Sequence, residues 1–130
     1  ILHTIDNNKE LVEIQNKYFK KANLTNKIVQ HSGDAKNIIP SIDEEFDIVF
    51  IDADKESYPE YYDLIINKVR SGGIIIADNI LWSGKILEKV GKDDQATKSI
   101  IEFNNKITQD DRVKNIILPI RDGLNIVRKN

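Results

Sequence analysis

The sequence contains no cysteine among its 130 residues. It can therefore form neither a disulfide framework nor a thiolate metal site, which fits a reducing compartment and makes the cytoplasm the expected location. No apolar run approaches the ~20 residues that a bilayer span requires, so we expect no membrane partner. The net charge of -2 and pI of about 5.7 also give no electrostatic reason to expect a nucleic-acid partner.

Methionine is absent as well, even from the first position, and the chain opens inside the apolar run Ile1-Leu2-His3-Thr4-Ile5. The first residues of a domain usually fray, so a start within a strand-like run is unusual. We therefore expect a piece of a longer protein. Its length is sufficient for one domain with one core, which we place at residues 1–130.

Strand-like runs alternate with segments of helical period. This alternation predicts an α/β fold with a mostly parallel sheet, and the short link at residues 119–123 predicts an antiparallel hairpin at the end. The run at 46–51 is apolar enough to be buried on both faces, and Gly72-Gly73 should end the preceding helix. The predicted strands are 1–5, 27–31, 46–51, 74–77, 113–118 and 124–128, and the predicted helical faces span 11–22, 58–69 and 96–107.

Three strand-like runs lead directly into an acid, at Asp6, Asp52 and Asp78. Ligands of open α/β sheets bind at the carboxyl ends of the strands, so these acids are candidate site residues. An aspartate at such a place can instead cap the following helix. However, Asn7 with Glu10 and Ser57 with Glu60 resemble capping boxes that would fill that role.

Asp52, Asp78 and Asn79 together offer hard oxygen ligands of the kind that Mg²⁺ prefers. No cysteine or nearby histidine supports zinc. The alternative is that the carboxylates end their strands because they favour helix dipoles.

Lys55 and Trp82 are candidates for chemistry and for substrate contact. Lys55 is by default a surface lysine, but in a desolvated crevice beside a metal ion it could accept a proton. Trp82, the only tryptophan, follows the Asp78-Asn79 pair on a loop. It is either an aromatic wall for a planar substrate or a simple loop anchor. The polar residues 83–94 after it are a candidate lid.

Three segments resemble the signatures of the catechol and caffeoyl-CoA O-methyltransferase family. They are FDIVFIDADK at 46–55 followed by Tyr58, GGIIIADNILWSG at 72–84, and LPIRDGL at 118–124. The resemblance runs from Ile1 to the end and is nearest to small bacterial members. It implies a Rossmann-like methyltransferase sheet that transfers a methyl group from S-adenosylmethionine to a hydroxyl of a catechol-like aromatic small molecule. Family members use a divalent metal, here expected to be Mg²⁺, and often form homodimers.

The resemblance also implies roles for individual residues. Lys55 would be the general base, and the metal ligands would be Asp52, Asp78 and Asn79. The cofactor would contact Asp6 through its ribose, Asp34 and Ala35 through its adenine, and Asp54 nearby. Trp82 and Asn125 would face the substrate. Asn125 stands where catechol-specific members carry a glutamate that binds a substrate hydroxyl, which argues against a small free catechol.

The family's opening strand and glycine-rich cofactor loop have no counterpart in the sequence. That strand would lie between the strands ending at Asp6 and Asp52, so we expect unpaired backbone on both flanking strands. We also expect the 130 residues alone to be inactive and to bind the cofactor poorly.

Three other interpretations remain open on the residues. A receiver domain would be phosphorylated on Asp52, but receivers place two adjacent acids after their first strand, where this chain has Asp6 followed by Asn7. A non-catalytic interaction fragment is the second. A nicotinamide-binding Rossmann domain is weaker, because no G-x-G-x-x-G is present.

Overall fold

The computed structural model describes residues 1–130, which divide into two compact units, Ile1–Asp43 and Glu44–Asn130. The strands are β1 (Leu2–Asp6), β2 (Ile28–Ser32), β3 (Phe46–Ile51), β4 (Val69–Asp78), β5 (Val113–Leu118) and β6 (Leu124–Lys129). The α-helices are α1 (Val12–Lys21), α2 (Ala35–Ile38), α3 (Tyr58–Ile65) and α4 (Gln95–Gln109). The predicted α/β order is confirmed. No helix combines the length and apolar character needed to cross a membrane.

In the first unit, β1 and β2 pair in parallel, with Asp6 opposite Ser32 at their carboxyl ends. A 3₁₀ turn over Lys9–Leu11 leads into α1, and the side chain that caps it belongs to Asn8, whose Oδ1 accepts from the backbone N–H of Glu10 at 3.0 Å. The prediction of Asn7 as the cap is therefore wrong by one residue. The reason is a local turn in which Asp6 Oδ1 accepts from Asn8 N at 2.8 Å.

The second unit is a four-stranded sheet in the order β3-β4-β6-β5. β3 and β4 are parallel, whereas β6 pairs antiparallel with both β4 and β5, which confirms the C-terminal hairpin. Two helices, α3 and α4, pack on one another over this sheet. The largest fully buried side chains include Tyr58, Tyr62, Phe103, Ile75 and Val127, so the core lies between the helices and one sheet face.

The other face of this sheet corrects the prediction that β3 is buried on both sides. Ile48 and Phe50 share a face because strand side chains alternate, and they are 64% and 58% exposed. Ile51, on the opposite face, is 5% exposed. The apolar composition of β3 thus suits two-sided burial, but α3 and α4 leave one face open.

The boundary between α3 and β4 also differs from the prediction. α3 ends at Ile65, and Val69, predicted to lie on the helix, begins β4 instead. Gly72 and Gly73 lie inside the strand, where the pairing shifts: β3 advances from Phe46 to Ile48 while β4 advances from Val69 to Ile74. A Cβ on Gly73 would lie 2.9 Å from a backbone oxygen of the same strand. The glycine pair therefore permits an irregularity in the strand rather than ending a helix.

The sheet edges agree with the expected unpaired flanks. β1 pairs only with β2, and β3 pairs only with β4, so each strand has one side without a ladder partner. The predicted capping box at Ser57 is absent because its side chain makes no cap hydrogen bond. Pro59 does lie in the first turn of α3.

Candidate active site

The ends of β3 and β4 bring the predicted metal ligands to one edge of the sheet. Because the two strands are parallel with Ile51 opposite Ala77, Asp52 and Asp78 occupy neighbouring positions, about one strand spacing of ~4.8 Å apart. Asn79 follows with a φ of 61°, a left-handed conformation that asparagine adopts more readily than most residues. The sheet register therefore brings these three residues to the same edge of the sheet.

Lys55 is held at this edge by two hydrogen bonds. Its Nζ donates to Asp52 Oδ1 at 3.1 Å and to the hydroxyl of Tyr58 at 2.6 Å. The Lys55 side chain is 10% exposed, whereas that of Asp52 is 50% exposed. The lysine is thus not the default surface residue, and the carboxylate beside it has an open side.

Tyr58 connects Lys55 to the backbone of both strands. Its side chain is fully buried, and its hydroxyl lies 3.2 Å from the carbonyl oxygen of Ile51 and 3.0 Å from that of Asp78. Burial, followed by the nearby carboxylates with Asp52 first, raises the pKa of the Tyr58 phenol well above its ordinary value. The phenol therefore stays protonated and donates to these carbonyl groups.

The carboxylate of Asp78 suits a cation. Asp78 is 5% exposed, its Oδ1 accepts from Asn79 N at 2.7 Å, and no basic side chain forms an ion pair with it. A buried carboxylate without a positive partner is costly, and a metal ion at this edge would remove that cost. The donor set is two carboxylates and one amide, which fits Mg²⁺. No group of three or more His, Cys, Asp or Glu side chains with metal-binding geometry is present.

Trp82 lies in a turn with unusual backbone geometry. Asn79, Trp82 and Ser83 have φ values of 61°, 49° and 53°, and Gly84 has a φ of 80°. The indole Nε1 is buried without a hydrogen-bond partner. Ser83 and Gly84 depart from helical geometry within the 3₁₀ segment Trp82–Leu87, so the first part of the predicted lid is a kinked turn.

The hairpin between β5 and β6 anchors this turn. Asp122 accepts from Leu81 N through its backbone oxygen at 3.0 Å and from Ser83 N through its carboxylate at 2.6 Å. The backbone oxygen of Gly123 accepts from Ile80 N at 3.2 Å. These contacts join segments about 40 residues apart, and they set where Trp82 and Asn79 stand relative to the sheet.

The chain matches the family model for O-methyltransferases over residues 1–130. It belongs to the O-methyltransferase family.

Individual members support this assignment. Tricin synthase 2 of Oryza sativa subsp. japonica is 33% identical over 138 residues, covering 96% of this chain and 47% of the relative. A caffeoyl-CoA O-methyltransferase of Medicago sativa is 32% identical over 142 residues, covering 96% and 55%. An O-methyltransferase of Bacillus cereus in complex with SAH has a TM-score of 0.90 at 25% identity, covering 98% and 62%. The chain thus spans about half the length of the curated relatives it matches.

The likeness to solved O-methyltransferases confirms the predicted Rossmann-like methyltransferase fold. Family membership also decides against the receiver and nicotinamide interpretations, because one O-methyltransferase model accounts for the whole chain. The O-methyltransferase signatures noted in the sequence correspond to the β3 end, the β4 end and the β5–β6 hairpin.

The residues predicted to bind the cofactor fall in both units. Within Ile1–Asp43, Gly33 N donates to the backbone oxygen of Asp6 at 2.9 Å. The pair Asp34-Ala35 comes directly after Gly33, so it lies near Asp6 at the ends of β1 and β2. The Asp34 side chain caps α2 by accepting from Lys36 N at 2.9 Å. Asp54, in the other unit, accepts from the Tyr61 hydroxyl at 2.5 Å. Their roles toward a cofactor stay predictions.

Asn125 is enclosed in the core. It lies in β6 opposite Ala77, has no exposed surface, and its Oδ1 accepts from Asn115 Nδ2 at 3.1 Å while its own Nδ2 has no partner. This placement gives a substrate no direct access to the Asn125 side chain, and its role in substrate binding stays a prediction.

Sequence reasoning missed Tyr58 and Asp122 as parts of this site. The sequence indicated Tyr58 only as part of a helical apolar face and of a family signature, and Asp122 only as part of the link between two strands. Their contacts depend on pairings with residues 20 and 39 positions away, which no local pattern records.

Proposed function

We propose that the protein transfers a methyl group from S-adenosylmethionine to a hydroxyl of a catechol-like aromatic small molecule, with the help of a divalent metal ion. The observation that carries this proposal is the arrangement at the ends of β3 and β4. There, a nearly buried lysine lies beside Asp52, and a buried Asp78 has no basic partner. Membership of the O-methyltransferase family supports the reaction type, and the SAH complex of the Bacillus cereus protein supports the cofactor.

Asp52, Asp78 and Asn79 would hold the metal ion, with Mg²⁺ the expected ion. When bound, S-adenosylmethionine would supply the reactive methyl group, and the metal ion would increase the acidity of a hydroxyl group chelated together with a neighbouring oxygen. A vicinal pair of oxygens on an aromatic ring suits such chelation. Asp6, Asp34, Ala35 and Asp54 are the proposed cofactor contacts, and Trp82 the proposed wall of the acceptor site.

Lys55 would act as the base. The acceptor oxygen forms a bond to the methyl carbon as the carbon–sulfur bond breaks, and the hydroxyl proton passes to Lys55 Nζ. For this step Lys55 must start as a neutral amine, whose lone pair takes the proton and gives an ammonium group. The sulfonium becomes a neutral thioether at the same time, so the positive charge moves from sulfur to nitrogen and the total charge is unchanged. The main contribution of the chain is to hold the oxygen, the methyl carbon and the sulfur in line. The predicted homodimer and cytoplasmic location stay predictions.

A transfer assay with the complete protein tests the proposal. The substrates are a panel of catechols and caffeoyl-type thioesters, with and without chelator, and the variant is Asp52→Asn. We expect chelator and variant each to abolish transfer, while Asp111→Asn keeps it, because the exposed Asp111 side chain makes no hydrogen bond or ion pair. Undiminished turnover with chelator, or in Asp52→Asn, would refute the metal role.

Direct metal binding supplies a second measurement. Mn²⁺ titration followed by electron paramagnetic resonance should show one site in the wild type and in Asp111→Asn. Asp78→Asn should weaken that site at least about tenfold, because a charged ligand becomes neutral. Equal Mn²⁺ affinity in Asp78→Asn and in the wild type would mean that the ion binds elsewhere.

A further inference from the structure

We infer that Tyr58 is a positioning residue for Lys55: together with Asp52 it occupies two of the three hydrogen directions on Nζ and leaves the third for proton exchange with the acceptor. This inference rests on the proposed function, in which Lys55 is the base. It concerns how the fold orients that base.

The two hydrogen bonds of Lys55 fix the orientation of its nitrogen. Nζ is tetrahedral, with one bond to the side chain and three remaining directions. One of these points to the Tyr58 hydroxyl at 2.6 Å and another to Asp52 Oδ1 at 3.1 Å. The single direction left over is the only one along which Nζ can take a proton from an acceptor hydroxyl without breaking either bond.

The direction of the Tyr58 proton makes this arrangement unambiguous. Carbonyl oxygens only accept hydrogen bonds, and two of them, from Ile51 and Asp78, lie 3.2 Å and 3.0 Å from the phenol oxygen. The single phenol proton is therefore engaged on that side. Toward Lys55 the phenol oxygen can only accept, so it holds an N–H of the lysine and does not compete for the remaining direction.

The surroundings of Tyr58 hold it rigidly. Its ring is fully buried and meets Phe103 edge to face with centroids 5.3 Å apart. The two carbonyl groups belong to Asp78 and to the residue before Asp52, so the same hydroxyl ties the lysine to the backbone that carries the proposed metal ligands. A lysine side chain without hydrogen bonds samples many rotamers, and ordering it costs conformational entropy. Because Lys55 is ordered before the reaction, this cost does not add to the activation barrier.

The chain offers a closely matched control in Tyr62. Tyr62 is also fully buried, also meets Phe103 edge to face, at 6.2 Å, and also hydrogen-bonds through its hydroxyl, to Asp110 at 2.9 Å. It makes no hydrogen bond to Lys55. Tyr58→Phe and Tyr62→Phe thus remove the same buried hydroxyl from similar environments, and only the first touches the base.

The test is steady-state methyl transfer by the complete protein. We expect Tyr58→Phe to lower kcat about 10- to 100-fold and to change the KM of the acceptor less than about twofold. The loss in kcat is of this size because the variant removes part of the rate enhancement that a positioned base provides. Tyr62→Phe should keep kcat within about twofold, although both variants lower the melting temperature. In a Lys55→Met background the effect of Tyr58→Phe on kcat should vanish, because residues that act through each other are not additive.

A spectroscopic measurement reads the contact without turnover. In ¹⁵N-lysine-labelled protein, hydrogen-bonded Nζ protons exchange slowly, so Lys55 should give a resolved side-chain resonance, assigned by its loss in Lys55→Met. We expect this resonance to disappear in Tyr58→Phe and to persist in Tyr62→Phe. Its persistence in Tyr58→Phe, or an equal loss of kcat in the two phenylalanine variants, would overturn the inference. Full activity of Lys55→Met would instead remove the base role proposed for Lys55, and the resonance would still decide whether Tyr58 orients the lysine.

Discussion

Replacement of Gly123 by alanine tests how tightly the β5–β6 hairpin presses on the turn that carries Trp82. Gly123 has a φ of 82°, and a Cβ there would lie 2.5 Å from Leu81 Cγ and 3.1 Å from Ile80 Cδ1. Gly84 has a nearly equal φ of 80° but nothing within 4 Å of a Cβ. Alanine at either position would therefore carry the same strain of a positive φ, and only alanine at 123 would also clash with neighbouring side chains.

The expected losses in unfolding free energy follow from these two terms. A left-handed alanine costs about 1–2 kcal/mol, which is the whole effect expected for Gly84→Ala. Overpacking against Leu81 and Ile80 adds about 1–3 kcal/mol, so Gly123→Ala should lose about 2–5 kcal/mol. With a urea m-value of about 2 kcal/mol/M, the midpoint should fall by roughly 1–2.5 M for Gly123→Ala and roughly 0.5–1 M for Gly84→Ala.

Urea unfolding of the complete protein, followed by the fluorescence of the single tryptophan, measures both effects near the altered site. Gly91→Ala serves as a baseline, since a Cβ there comes no nearer than 4.0 Å to any atom and Gly91 lacks a positive φ. That variant should stay within about 1 kcal/mol of the wild type. If Gly123→Ala were no less stable than Gly84→Ala, the hairpin would not be packed against the turn as described.

Two further predictions concern side-chain anchors. Asp122→Ala removes the acceptor for Ser83 N and should shift the fluorescence emission of the half-buried Trp82 to longer wavelength. Asp122→Asn keeps an acceptor oxygen and should show the wild-type spectrum. Identical spectra for the two variants would contradict the anchoring role. Hydrogen bonds from Arg112, the largest cause, hold the pKa of Asp110 well below its usual range. Its stabilisation is therefore present above the unfolded pKa of about 4 and is lost as the pH falls through the lower folded value. Asp110→Asn should lower the free energy of unfolding by about 1 kcal/mol or less at pH 7, because the ion pair is screened by solvent. In urea unfolding, the difference in free energy between variant and wild type should shrink below pH ~4. A difference that stays constant down to pH 3 would refute the assignment.

Much of the fold could be predicted because its signals are local. β3 and β5 begin and end at the predicted residues, since each is a run of apolar and β-branched side chains bounded by polar ones. α4 carries the predicted apolar face, with Ile100, Phe103 and Ile107 all buried. The error at the start of β4 occurred because a distant contact overrides the local pattern. Val69 continues the helical period of α3, yet it pairs with Phe46 and begins a strand.

The candidate site divides in the same way. By itself, the sequence determined that acids follow successive strands and that a lysine follows one of these acids. The reason is that the end of a strand is marked by a change from apolar to polar residues within a few positions. Only the tertiary structure decided that Lys55 is nearly buried, that Tyr58 joins it to both strand ends, and that Asp122 anchors the turn of Trp82. Such contacts depend on sheet register and helix packing, which are set by the whole core and not by the residues that meet.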